Sequence, residues 1–405
     1  MTDLTNWMGA LADSTSLASM SIPGTHESGS RYYAVVTRDW AQCQNESFTI
    51  TRQLEAGARY LDIRLRNFNN VLLLHHENVY QKATFRDVIN QCDAFLKAHP
   101  TETVLMRIRH EYTKDQQGDD PTPEGFRARF DEVAKEHPDL FRTGSSIPSL
   151  SEARRKIVVI NDNGGLPGIQ WKQSPMDVQD DWNPDSSKVK AGEVKAQFDK
   201  SRADNSGATL YVNHLSCYRK IPDGSPAEMT HVVVPPVIDY LYTSTGASGR
   251  GPLGVVPMDY MDEDARPVVD HLVWWNRNAV AGQTRTLTID TAELVQFDDG
   301  STDPAVFGSI TLATHDKRIK AWDRDDDHTV KFADSKGTFK LDATTATSDH
   351  GFSIQVDLWD YDATSGNDRV AYGAVYWAQG DAKGTFSHTF TGEDKGRVKI
   401  TYTIG

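Results

Sequence analysis

Two textures of hydrophobic patterning divide the chain. Up to about residue 280, short apolar runs alternate with segments of helical period. "ARYLDIRL" (58–65), "NVLLLHH" (70–76), "TETVLMRIRHEY" (101–112), "KIVVIND" (156–162), "ATLYVNHLS" (208–216) and "LGVVPMDYM" (253–261) read as buried strands. Between them, "TFRDVINQCDAFLKAHP" (84–100) places Phe85, Val88, Ile89, Cys92, Phe95 and Leu96 on one helical face and ends at a proline. Strand, helix and strand in repetition predict a parallel sheet with crossover helices, closed into a (β/α) barrel. From about residue 284, "TRTLTIDTAELV", "FGSITLAT", "GTFKLDAT", "FSIQVDLWDYD", "VAYGAVYWAQG", "GTFSHTF" and "RVKITYTIG" alternate apolar and polar positions with turns between, which predicts an all-β sandwich. The expected domains are therefore 1–280 and 284–405, joined through "AVAGQT".

The barrel reading turns polar residues at strand ends into a cluster. Asp62, Arg64, His75, His76, Arg109, Glu111 and Asp259 all fall at C-terminal ends of predicted strands, the face where barrel chemistry belongs. "SIPGTHESGS" (21–30) adds His26 and Glu27 directly after a Pro-Gly pair. Taken alone that stretch reads equally as a helix start, with a hydroxyl cap and an acid in the first turn. With the rim residues it reads differently. Two histidines can take a proton from a hydroxyl and give one to a leaving oxygen. Arg64 is a permanently charged fork suited to phosphate, and Asp62, two residues away on the same strand face, can hold it.

Composition narrows the partners. The chain has 405 residues, 38% hydrophobic and 25% charged, with a formal net charge of −14. That balance argues against a nucleic-acid partner. No apolar run approaches the ~18 residues a membrane helix needs, and the start "MTDLTNWMGA" shows no signal peptide. Cys43, Cys92 and Cys217 are odd in number and lack CxxC spacing, so neither a disulfide framework nor a zinc site is expected, although one pair could bridge.

Several ordered motifs carry a resemblance: "WMGALADSTSLASMSIPGTHESG" (7–29), "QLEAGARYLDIRLR" (53–66), "LLLHHENVY" (72–80), "FRDVINQCDAFLKAHPTETVLMRIRHEY" (85–112), "KIVVI" (156–160) and "MDYM" (258–261). Over roughly residues 1–280 the chain resembles the bacterial phosphatidylinositol-specific phospholipases C. The resemblance implies a distorted TIM-type barrel and cleavage of phosphatidylinositol to diacylglycerol and a cyclic inositol phosphate. It places the general base on His26, its orienting carboxylate on Asp259, the general acid on His76 and the phosphate ligand on Arg64. Arg109 and Asp180 fall on inositol-binding positions, with Glu111 beside them, and Trp182 where an aromatic ring stacks on the inositol. Glu27 stands where Asp is usual, Asp162 where an inositol-contacting arginine is common, and Asn78-Val79 where Gly-Pro is usual.

Calcium-using relatives fill this site with carboxylates. Here Glu27 and Asp62 are accompanied by Arg64 and Arg109, whose charges repel a divalent ion, so no catalytic metal is expected, with Glu27 and Asp62 as the alternative calcium ligands. In the second domain, "FDDGSTDPAVFGSITL" (297–312) and "DLWDYDATSGND" (357–368) carry Asp298, Asp299, Asp303, Asp360, Asp362 and Asp368, with "WDRDDDH" (322–328) as a further acidic loop. The pattern resembles a C2-type domain, which implies Ca²⁺ between the loops and docking on lipid headgroups. A solvated acidic surface is the competing reading. The expected protein is a secreted enzyme acting peripherally on membrane phosphatidylinositol. Trp40 and the 218–221 segment are weaker expectations for lipid contact. The alternatives are a glycerophosphodiester phosphodiesterase and a non-catalytic, calcium-dependent lipid-binding protein.

Overall fold

The fold is taken from a computed structural model, which describes residues 3–405 except 34–38, 112–117, 164, 205, 221–222, 245–250, 279–280, 299–302 and 363–366. The chain divides into two compact units, Asp3–Tyr240 with Gly249–Asn276, and Arg277–Gly405 with Leu241–Ser248.

The first unit is a curled parallel sheet with helices around it. Its strands β1 (Ser21–Thr25), β2 (Tyr60–Phe68) and β5 (Val104–His110) lie beside the strands Ile157–Asp162, Met176–Gln179, Leu210–Asn213 and Gly254–Met258. The spatial order runs from Phe141–Arg142 through Ile157–Asp162, β5, β2, β1, Gly254–Met258 and Leu210–Asn213 to Met176–Gln179. Among the described residues no ladder joins Ile169–Gln170 to Met176–Gln179, so the barrel is an open one. After a short helix α1 (Ile50–Glu55), the predicted helix is present as α2 (Phe85–Ala98), capped by Thr84 and Asp87 in a reciprocal box, with all six predicted apolar residues buried against the sheet.

Two local readings are corrected. The Pro-Gly pair of "SIPGTHESGS" does not start a helix; it lies inside β1, a fully buried central strand. Gly24 is there because a side chain would not fit, since a Cβ at that position would stand 2.6 Å from the Tyr60 Cβ and 2.8 Å from its carbonyl oxygen. Likewise "NVLLLHH" is not a further parallel strand. It forms β3 (Val71–His76), which turns back antiparallel on β2 and continues to β4 (Val79–Thr84). The turn is Asn69-Asn70, both at positive φ (49° and 61°), the residue type that two-residue hairpins favour.

The second unit is an antiparallel sheet folded about its own core. Strand order is Arg318–Arg324, Ala305–Thr314, Phe352–Asp360, Asp368–Trp377, Gly384–Thr391, Arg397–Ile404, Arg285–Gln296 and Gly337–Thr338. Alternate residues such as Leu287, Ile289, Ile310, Leu312, Ile354, Val356, Val398 and Ile400 fill the interior. The stretch read as an acidic loop at 322–328 begins as the end of strand Arg318–Arg324, with Trp322 buried in that core.

Candidate active site

The C-terminal ends of the parallel strands form one face of the first unit, and a cavity of about 610 Å³ opens there. Register explains which side chains meet. Thr25 at the end of β1 is paired with Met258 at the end of its neighbour. The next residues, His26 and Asp259, therefore emerge side by side, and His26 Nδ1 stands 2.8 Å from Asp259 Oδ1. The carboxylate fixes the neutral ring with its proton on Nδ1, leaving the Nε2 lone pair facing inward, 3.1 Å from Arg64 Nη2. Burial opposes a charge on His26, but the charge and hydrogen bond of Asp259 outweigh it and raise its pKa.

His76 arrives from the other side, carried to the rim by the β2–β3 hairpin. Its Nδ1 lies 2.9 Å from Glu27 Oε2 and 3.2 Å from the Ala41 carbonyl oxygen. Two acceptors on one nitrogen hold the proton on Nδ1 and leave Nε2 available to a substrate. Trp40 packs edge-on against the same ring, with centroids 4.8 Å apart. Each histidine thus has its own carboxylate, and both rings line one cavity.

Arg64 joins the two halves. Its Nη1 is 2.5 Å from Glu27 Oε1 and 3.4 Å from Glu111 Oε1, and its Nη2 is 3.4 Å from Asp62 Oδ2. Glu27 therefore bridges guanidinium and imidazole, the reach that its extra methylene over Asp supplies. Burial would favour its neutral form, yet Arg64 and His76 hold it well below the usual carboxylate range. Its backbone sits at φ 39°, a left-handed conformation that turns the side chain under Arg64.

Of the remaining expected residues, Arg109, Glu111, Asp180 and Trp182 all line the cavity. Asp180 takes Lys172 Nζ at 3.0 Å, and the positive charges of Arg107 and Lys172 help to hold it ionised against its burial. Trp182 stands 56% exposed, a ring at the cavity mouth. Asp62 is fully buried, Arg107 and Arg64 keep it ionised despite burial, and its Oδ2 stands 3.4 Å from Arg64 Nη2, the partner expected from their shared strand face. His75, next to His76 on an alternating strand, lies outside the cavity lining. Asp162 takes Arg107 at 2.6 Å, and Arg107, stacked 3.9 Å over Trp171, is itself buried. Neither is among the described residues that line the cavity. Trp40 is a cavity wall residue, and Ile221 lies outside the described residues.

Sequence reading missed Cys43, Glu77 and His214. Cys43 and Glu77 line the cavity. His214 is completely buried, edge-on to His26 at 5.6 Å. These residues come from loops or strand ends and share no spacing motif, so only the folded register brings them in. The three cysteines are free and buried, and no pair bridges.

The acidic loops of the second unit do not gather into a cation site among the described residues. Asp298 pairs with Lys395 at 2.6 Å, and Asp303 accepts the Asp334 amide. Asp360 is buried and accepts the Ala305 amide at 2.5 Å. Asp362 and Asp368 join no cluster of three ligand atoms, and Asp299 lies outside the described residues.

A pair of carboxylate-backed imidazoles astride a guanidinium, at the C-terminal end of a parallel barrel, is the apparatus of an acid–base enzyme acting on a phosphate ester. Comparison with known proteins gives the family. Residues 20–163 match the sequence model of the phosphatidylinositol-specific phospholipase C X domain. The chain is 30% identical over 275 residues to a 1-phosphatidylinositol phosphodiesterase of Listeria monocytogenes, covering 64% of this chain and 81% of that one. A Staphylococcus aureus protein of the same name is 29% identical over 280 residues, covering 63% and 88%. The solved structure of the phosphatidylinositol-specific phospholipase C from Listeria monocytogenes superposes with a TM-score of 0.59 at 26% identity, over 68% of this chain and 99% of that one. The chain belongs to the phosphatidylinositol-specific phospholipase C family.

Proposed function

We infer that the protein cleaves phosphatidylinositol by intramolecular phosphoryl transfer. His26 Nε2 takes the proton of the inositol 2-hydroxyl as that oxygen bonds to phosphorus. The bond from phosphorus to the glycerol oxygen breaks, and His76 gives that oxygen a proton. The products are diacylglycerol and inositol 1,2-cyclic phosphate. Water then opens the ring slowly, with the two histidines in exchanged roles, to inositol 1-phosphate. Arg64 stabilises the charge that develops on the phosphoryl oxygens, in a site where the imidazoles and the guanidinium are largely shielded from water. Arg109, Asp180 and Trp182 hold the inositol ring at the mouth.

One observation carries this reading: His26 and His76 are each backed by a carboxylate, Asp259 and Glu27, and both face the cavity that holds Arg64. Its names for the relatives, 1-phosphatidylinositol phosphodiesterases, support the substrate class. Catalysis needs no divalent ion, because Arg64, 2.5 Å from Glu27 and 3.4 Å from Asp62, already supplies at the phosphate the positive charge that an ion would bring. A glycerophosphodiester phosphodiesterase would need those acids free for a metal.

The test is the leaving group. His76→Ala should lose almost all turnover of phosphatidylinositol in detergent micelles but keep much of its rate on an inositol phosphodiester with an acidic phenol as leaving group, which needs no proton. His26→Ala should lose both. Equal losses for the two substrates in His76→Ala would contradict its role as the acid.

A further inference from the structure

Cys43 is held at the floor of the cavity from both sides. Its amide donates to the Ser30 carbonyl oxygen at 2.8 Å, and its own carbonyl accepts the Tyr260 amide at 2.9 Å. The side chain is 1% exposed and lines the cavity. Its sulfur belongs to two overlapping sets of potential ligands, one with Glu27 and His76 and one with His26 and Asp259. Within each set the ligand atoms all lie within 4.8 Å of one another. Ligands of a tetrahedral zinc ion, bound at about 2.0–2.3 Å, stand roughly 3.3–3.8 Å apart, so small side-chain adjustments suffice.

We propose that Cys43, Glu27 and His76 form a binding site for one thiophilic divalent cation of the zinc class, and that its occupancy switches catalysis off. The donor set decides the class. Sulfur and imidazole favour Zn²⁺ or Cd²⁺ over Ca²⁺ and Mg²⁺, which take oxygen. The outer set is chosen because His26 is engaged on both nitrogens, by Asp259 and Arg64. Binding releases the thiol proton to solvent, and the thiolate together with the Glu27 carboxylate balances the two positive charges of the ion beside Arg64. Without the ion, burial among Asp259, Glu27 and Asp62 keeps Cys43 a thiol, so it is no nucleophile. The ion replaces the Glu27–His76 contact and removes the proposed general acid. The inhibitory consequence rests on the acid–base reading above; the binding does not.

The probe is Cd²⁺, whose thiolate complexes absorb in the near ultraviolet. Titrating the full chain should give one charge-transfer band saturating at one ion per chain. Cys43→Ser should lose it, while Cys217→Ser, altering the other cavity cysteine, and Cys92→Ser should keep it. Zn²⁺ should inhibit hydrolysis of phosphatidylinositol in detergent micelles and a chelator should restore it. Cys43→Ser should need about tenfold more Zn²⁺ or higher for the same fractional inhibition of its own rate. A full band in Cys43→Ser, or unchanged zinc sensitivity, would overturn the proposal. If that variant does not fold, the Cys92→Ser/Cys217→Ser double variant decides: with Cys43 as its one remaining thiol it should keep the full band, and loss of the band would overturn the proposal. A Cd²⁺ band in a protein that does not cleave phosphatidylinositol would keep the metal site and remove the functional reading; catalysis without the band would do the reverse.

Discussion

At the residue scale, the site works because each chemically active group is paired with one that fixes its state. Asp259 sets the tautomer and raises the basicity of His26. The base must be neutral to act, so the rate should fall as pH drops through a limb lying above the ordinary imidazole value. Asp259→Asn should lower kcat/KM by about 10²–10⁴-fold and move that limb to lower pH; a pH–rate profile checks it, and an unmoved limb would mean that Asp259 does not set the basicity. Arg64→Lys keeps the charge but loses the fork between Glu27, Asp62 and the phosphate, and should cost about 10²-fold in kcat. His214 supplies a stability prediction of the opposite sign. Burial lowers its pKa from 6.5 to about 3. Between those values the unfolded chain binds the proton and the folded one does not, so stability falls as pH falls across that window. At pH 5, about 1.5 units below the unfolded value, the loss is about 2 kcal/mol. His214→Phe should therefore lose less stability than the wild type between pH 7.5 and 5, measured by urea denaturation.

At the element scale, the strands supply geometry that no side chain could supply alone. The parallel register of β1 with Gly254–Met258 puts His26 beside Asp259 across more than two hundred residues of sequence. Gly24 lets β1 approach β2 at Tyr60, and Gly24→Ala should push the two apart. The expected cost is about 1–3 kcal/mol of stability, the range for overpacking a full interior, together with reduced activity because His26 lies two residues on. Thermal melting and kcat measured together check this; an unshifted melting temperature would show that the approach is not tight. This scale also shows where sequence reading stopped. Periodicity sufficed for α2 and for most of the parallel strands, because their apolar faces are continuous. It failed at β1, where Pro23 and Gly24 look like punctuation but are selected by crowding, and at β3, where a run as apolar as its neighbours belongs to a hairpin. The Asn69-Asn70 turn was the available signal.

At the scale of the whole molecule, the residues that line the cavity were legible because several ordered motifs agreed, and their partners were not. Glu27's bridge to both Arg64 and His76, the burial of Asp62 and the position of Cys43 depend on distances between strand ends, which spacing along a chain does not encode. In the second unit the same holds for Asp298, Asp303 and Asp360, whose partners lie on other elements. Aspartates close in sequence are spent on a lysine, backbone amides and the core. EDTA should leave the hydrolysis of a water-soluble inositol phosphodiester undiminished, and loss of that activity, restored by Ca²⁺, would contradict the charge argument. The central claim is that two imidazoles act across one guanidinium-held phosphodiester to form a cyclic product. Phosphorus NMR of the wild-type reaction with phosphatidylinositol tests it most directly. The signal of inositol 1,2-cyclic phosphate should appear first and give way slowly to the monoester, whereas a monoester formed from the outset with no cyclic intermediate would contradict the account.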